Sequence, residues 1–150
     1  MHENPATEPP GHGPAERDLT RLLTGLRPHL DPHTYVYATV TGPPPPHLDP
    51  VVTVREDEGR TLVVRQEEAD AAGLPYAYVA GWITLRVHSA LEAVGLTAAV
   101  AALLADAGLS CNVVAGFHHD HLFVPYERAE EAVALLERLA ADAAQAAPTG

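Results

Sequence analysis

From Trp82 onward the apolar residues switch between two periods in an order that few folds accept. Trp82 to His88 alternates, with Ile83, Leu85 and Val87 on one side and Trp82, Thr84, Arg86 and His88 on the other. That is the period of a strand with one buried face and one partly polar face. Leu96, Val100, Leu103, Leu104 and Ala107 then repeat at helical spacing, and Gly108 closes the segment. Leu109 to Phe117 reads as a second strand, His118 to Asp120 as a tight turn, and His121 to Pro125 as its partner. Ala129, Ala132, Val133, Leu136, Leu139 and Ala140 line one face of a final helix. The order β-α-β-β-α supplies five elements of the ferredoxin-like β-α-β-β-α-β unit and lacks its sixth strand.

The preceding half offers strands to spare. Leu19, Leu22, Leu23 and Leu26 mark a helix that Pro28 and Pro32 stop. Thr34 to Val40 is rich in β-branched and aromatic residues, as strands are. Gly42 and the run Pro43 to Pro46 form a stiff loop. Val51 to Arg55 and Arg60 to Arg65 flank a turn and read as a hairpin, and Gln66 to Ala72 as a short helix ending at Gly73. The expected fold class is therefore α+β: a ferredoxin-like sandwich of two pseudo-repeated halves, its mainly antiparallel sheet carrying helices on one face. The expected divisions are a disordered tail over 1–15, an N-terminal half over 16–80, a C-terminal half over 81–142 and a second disordered tail over 143–150.

Composition narrows the function. The chain has 150 residues and a formal charge of −11, with nine arginines, no lysine and 20 acidic residues. Such a surface repels phosphate backbones, which argues against nucleic-acid binding and against electrostatic attachment to a membrane. No apolar run reaches the roughly 20 residues that span a bilayer, and Met1-His2-Glu3-Asn4-Pro5 lacks the order of a signal peptide. Cys111 is the sole cysteine, so no internal disulfide and no cysteine-cluster zinc site is expected. These features point to the cytoplasm. Aromatic residues make up only 5%, so the core is expected to rest on Val, Leu, Ala and Ile.

Trp82 to Ala98, then Ala107 to Phe117 and His119 to Pro125, resemble the first strand, first helix and following hairpin of bacterial ACT-domain proteins. They are similar also to the ACT modules of aspartate kinases and of arginine-sensor proteins. The resemblance implies a non-catalytic, regulatory module that pairs, as a homodimer, and binds an amino acid or similar small molecule. It places the ligand at the loop after the first strand, Ser89 to Thr97, facing the start of the strand at Cys111 to Val114. No cofactor is expected, and no attached catalytic domain, in which the chain departs from the enzyme-linked members of the family.

The residues of that loop carry two readings. Ser89-Ala90-Leu91-Glu92 has the Ser-x-x-Glu pattern of a capping box, which would start a helix at Ser89. Alternatively Ser89, Glu92, Val94, Gly95, Leu96 and Thr97 form a ligand loop whose backbone amides hold a carboxylate at a helix start. Gly95 favours the second, since glycine inside a helix costs up to ~1 kcal/mol relative to alanine. Asn112, unusual in a strand, is either a ligand contact or bonded to a neighbouring loop. Asp120 is a candidate partner for a ligand's amino group or a turn former. The run His118-His119-Asp120-His121 invites a metal, with His88 as a further donor, though its place at a hairpin tip, where Asp is a common turn former, is the preferred explanation. Cys111 with His119 or His121 could be drawn as a nucleophile and base, against its more common role as a small buried hydrophobe. No recognised catalytic motif is present, so no enzyme is expected. The alternatives to ligand binding are a structural or interaction protein with the same fold, and a metal-binding protein centred on the histidine turn.

Overall fold

A computed structural model describes residues 18–146. The expected tail over 1–15 lies outside the described residues, as does 147–150 of the C-terminal one. The elements run α1 (Leu19–Thr24), β1 (Pro28–Leu30), β2 (Tyr35–Val40), β3 (Val52–Glu56), β4 (Gly59–Arg65), α2 (Gln66–Ala71), β5 (Val79–Leu85), α3 (Leu96–Asp106), β6 (Asn112–Ala115), β7 (Asp120–Pro125), a 3-10 turn (Tyr126–Arg128) and α4 (Ala129–Ala146). The last helix continues past the boundary expected at 142.

Every strand pairing is antiparallel, and the sheet order is β3-β4-β2-β5-β7-β6 with β1 added beside β5. The sixth strand missing from the C-terminal half is β1. Pro28 faces Leu85 and Leu30 faces Ile83, while β2 takes the other end of the same edge through Tyr35–Ala80 and Val36–Val79. Between them the Asp31 amide donates to the Trp82 carbonyl at 2.8 Å. Pro28 therefore opens a strand, a position where the missing N–H of proline is tolerated. The halves complete each other within one chain.

Two strands are shorter than their patterns suggested. β5 stops at Leu85 because its neighbours stop there: β1 begins opposite Leu85 at Pro28, and β7 at Asp120. Arg86 to His88 are left outside the regular ladder. β6 likewise spans only Asn112–Ala115, the stretch that β7 pairs.

The two faces of the sheet differ. Ile83, Leu85, Leu122 and Val124 point to α1, α3 and α4 and form the main core with Leu22, Leu26, Leu96, Val100, Leu104, Ala132 and Leu136, all buried. Gly81 lets α4 approach, since a Cβ there would lie 2.7 Å from the Ala129 Cβ. Val36, Leu62 and Val64 meet Ala69 of α2 on the same face. The opposite face collects Tyr35, Tyr37, Tyr78, Trp82 and Phe123 around Val63 and Ala80. The rings of Tyr37 and Phe123 stand edge-on at 5.9 Å although β5 separates their strands, so the sheet curls inward around them. The aliphatic core under the helices follows the expectation from composition. The aromatic residues, few as they are, concentrate on the concave side.

Candidate functional site

Between Leu85 and α3 the chain forms no continuous strand or helix, only an isolated bridge at Ser89. Ala93 N–H donates to Ala90 O at 2.9 Å, closing a turn, and Ser89 is buried at 8% exposure with its Oγ 3.3 Å from Ala90 O. No helix starts at Ser89, so Ser89-Ala90-Leu91-Glu92 is not a capping box. The helix starts at Leu96, behind Gly95 at φ +102°. A side chain is strained at that φ, and a Cβ would also stand 3.1 Å from Leu19 Cδ2 of α1. Gly95 thus stands before the helix rather than inside it, at a position where any side chain is unfavourable for the backbone alone.

No side chain caps α3. Its first intrahelical bond is Ala99 N–H to Gly95 O at 2.9 Å, so the amides of Leu96, Thr97 and Ala98 precede the ladder. Leu96 is buried and anchors the junction, whereas Thr97 and Glu92 are exposed and Val94 is 83% exposed. The result is a helix start presented by a loop, with no side-chain cap among the described residues and the positive end of the helix dipole at its mouth.

The start of the loop is tied to the β6–β7 turn. His119 Nδ1 donates to Val87 O at 3.2 Å, since a carbonyl can only accept, and the rings of His88 and His118 lie 5.6 Å apart. Asp120, opposite Leu85, sits at the root of the loop. Burial pushes its carboxyl above the ordinary value, and the neighbouring His121 and His119 pull it back. Asn112 is not brought to this group. It pairs with Phe123, three ladder steps (about 10 Å) from the level of Asp120. It points to the concave face, its Nδ2 donating to Phe123 O at 3.5 Å. Its bond is thus to the adjacent strand rather than to a loop.

His121 has a structural role that the sequence did not disclose. Trp82 Nε1 can only donate, and it lies 3.0 Å from His121 Nδ1. That nitrogen is therefore unprotonated, and the Thr84 hydroxyl, also at 3.0 Å, donates to it as well. Burial, with His119 beside it, holds His121 below the ordinary imidazole value, and Asp120 opposes them. The alternation that puts Trp82 and Thr84 on one face was the available signal. Among the described residues no group of three or more His, Cys, Asp or Glu side chains is placed to hold a metal ion. Burial raises the Cys111 thiol, which disfavours the thiolate a nucleophile needs. No helix among the described residues is long and apolar enough to cross a membrane.

A curled antiparallel sheet built from two α+β repeats is the layout of a tandem ferredoxin-like module. Two sequence models of the ACT domain match the chain, one over residues 14–81 and the other over 78–138. The chain belongs to the ACT-domain family. A protein of unknown function from Vibrio cholerae, described as a possible transport protein, is 47% identical; the match covers 81% of this chain and 95% of that one, with a TM-score of 0.74. The ligand-free regulatory subunit of aspartate kinase from Thermus thermophilus shares the fold at 11% identity, with 77% and 97% covered and a TM-score of 0.60. The corresponding subunit from Thermus flavus matches at 12% identity over 75% and 95%, with a TM-score of 0.58. No functionally curated protein matches the sequence. ACT domains are regulatory modules that typically bind small molecules.

Proposed function

We propose that this chain is a non-catalytic cytoplasmic regulatory module that binds an amino acid at the mouth of α3. The observation that carries the reading is the α3 start itself: Gly95 at left-handed φ, no side-chain cap, and amides at Leu96 and Thr97 preceding the helical ladder. A carboxylate is the group such a terminus receives best. Asp120, at the root of the same loop, is suited to the ligand's amino group. Ser89 holds the turn from beneath, and Glu92 and Val94 rim it. Asn112, on the far side of the sheet, meets a ligand only if a second copy presents it, which fits a homodimer across the free β6 edge. Nucleic acid and membrane lipids are not partners in this reading, because the charge of −11 opposes both.

A thermal-shift screen against the twenty amino acids tests it. A ligand at 100 times its Kd stabilises the folded state by about 2.7 kcal/mol. At least one amino acid should raise the melting temperature, and Asp120→Asn should abolish that rise. No shift with any of the twenty would support the ligand-free structural alternative.

A further inference from the structure

A separate cleft of about 820 Å3 lies where the α1–β1 connection meets the end of β5 and the flank of α4. Arg27, His29, Arg86 and His119 line it, and Glu137 is its one acidic residue among the described residues. In a chain with nine arginines against 20 acidic residues, this is a concentrated patch of the minority charge.

The two arginines are neighbours across the β1–β5 edge. Pro28 pairs with Leu85, which sets Arg27 opposite Arg86, and Arg86 N–H donates to Arg27 O at 3.3 Å. Like charges directly opposite across a strand pair destabilise it. Among the described residues neither guanidinium makes an ion pair. Arg27 is also held at φ +45°, a left-handed conformation that residues with side chains adopt at a cost. Two arginines brought together by the backbone pairing, one of them strained, and both lining one cleft are features that an anion between them would offset. The site differs from the α3 mouth, but Arg86 is the first residue of the loop that leads there. Its neighbour Val87 is held by His119, which lines the cleft.

We propose that this cleft binds a phosphate-type oxyanion, either free or as the phosphate group of a small metabolite, between Arg27 and Arg86. Isothermal titration with inorganic phosphate at constant ionic strength should show saturable binding of one ion per chain. Arg86→Gln should weaken it roughly tenfold to a hundredfold, the loss expected for one charge-assisted pair. Arg27→Asn should do the same, with asparagine chosen because it tolerates left-handed φ and so spares the fold. Arg138→Gln, outside the cleft, should leave binding unchanged. Tighter binding of glycerol 3-phosphate than of phosphate would assign a phosphorylated metabolite, and the reverse would assign the free ion. Binding that is equal in all three variants, absent, or arginine-dependent for succinate but not for phosphate would overturn the proposal. None of these outcomes bears on the amino-acid screen, whose readout is at Asp120.

Discussion

The centre of the sheet and the loop that leaves it are one continuous segment held by opposite means. In β5, Ile83 and Leu85 are buried beneath three helices and flanked by strands on both edges. Past Leu85 the same chain exposes Leu91 at 67% and Val94 at 83%, while Val87 and Ala93 reach the edge of the main core. The stability of the molecule therefore resides in the sheet, whereas the loop carries exposed apolar side chains and amides that precede the helical ladder. Elements that bind ligands are commonly drawn from such weakly held regions.

Substitutions in the two regions should separate cleanly. Leu122→Ala, in the centre of the core and paired with Ile83 and Val113, should cost about 2–5 kcal/mol in denaturant unfolding. A cost below 1 kcal/mol would mean the core repacks and the contrast is weaker than described. Gly95→Ala, at the junction, should cost about 1–2 kcal/mol from left-handed strain, while Gly95→Asn should cost less. Equal costs would show that contact with Leu19, rather than φ, requires glycine.

The fastening at the root of the loop should respond to pH. The folded protein holds His121 neutral, so as pH falls below about 6.5 the unfolded chain takes up a proton first. Stability should thus be flat above that value and decline from it downward to the lower folded-state value. Asp120, whose carboxyl is raised, acts in the opposite sense as it binds its own proton. Trp82, the sole tryptophan, reports the step directly: its emission should fall as His121 charges, and His121→Gln should remove that fall. An unchanged pH profile in His121→Gln would contradict the assigned tautomer. The smallest effect belongs to Val94→Ser, which should change stability by no more than about 0.5 kcal/mol because the side chain is already in water.

Much of the architecture was legible because its signals were periodic. The switch from alternation to helical spacing around Gly95 placed β5 and α3, and the hairpins followed from their turns. What escaped has physical causes. β1 is three residues long and begins with proline, so it offers no period to detect, and only its pairing with β5 makes it a strand. The end of β5 at Leu85 depends on where two distant strands stop. Ser89 and Glu92 satisfied a local capping pattern, but the turn at Ala90–Ala93 and the left-handed Gly95 set the helix start six residues later than a Ser89 cap would require, at Leu96. The bond from Trp82 to His121 links residues 39 apart in sequence, which no local pattern reveals. Asn112 stood out as unusual in a strand, but residue type alone could not show that it lies away from the loop, opposite Phe123.

The most direct test of the account is a titration of 15N-labelled protein, followed by amide chemical shifts, with the amino acid that gives the largest thermal shift. If the α3 mouth is the binding site, the amides of Gly95, Leu96 and Thr97 should move most and saturate together, with smaller changes at Asp120. Saturating shifts confined to another surface, with Gly95 to Thr97 unmoved, would contradict it.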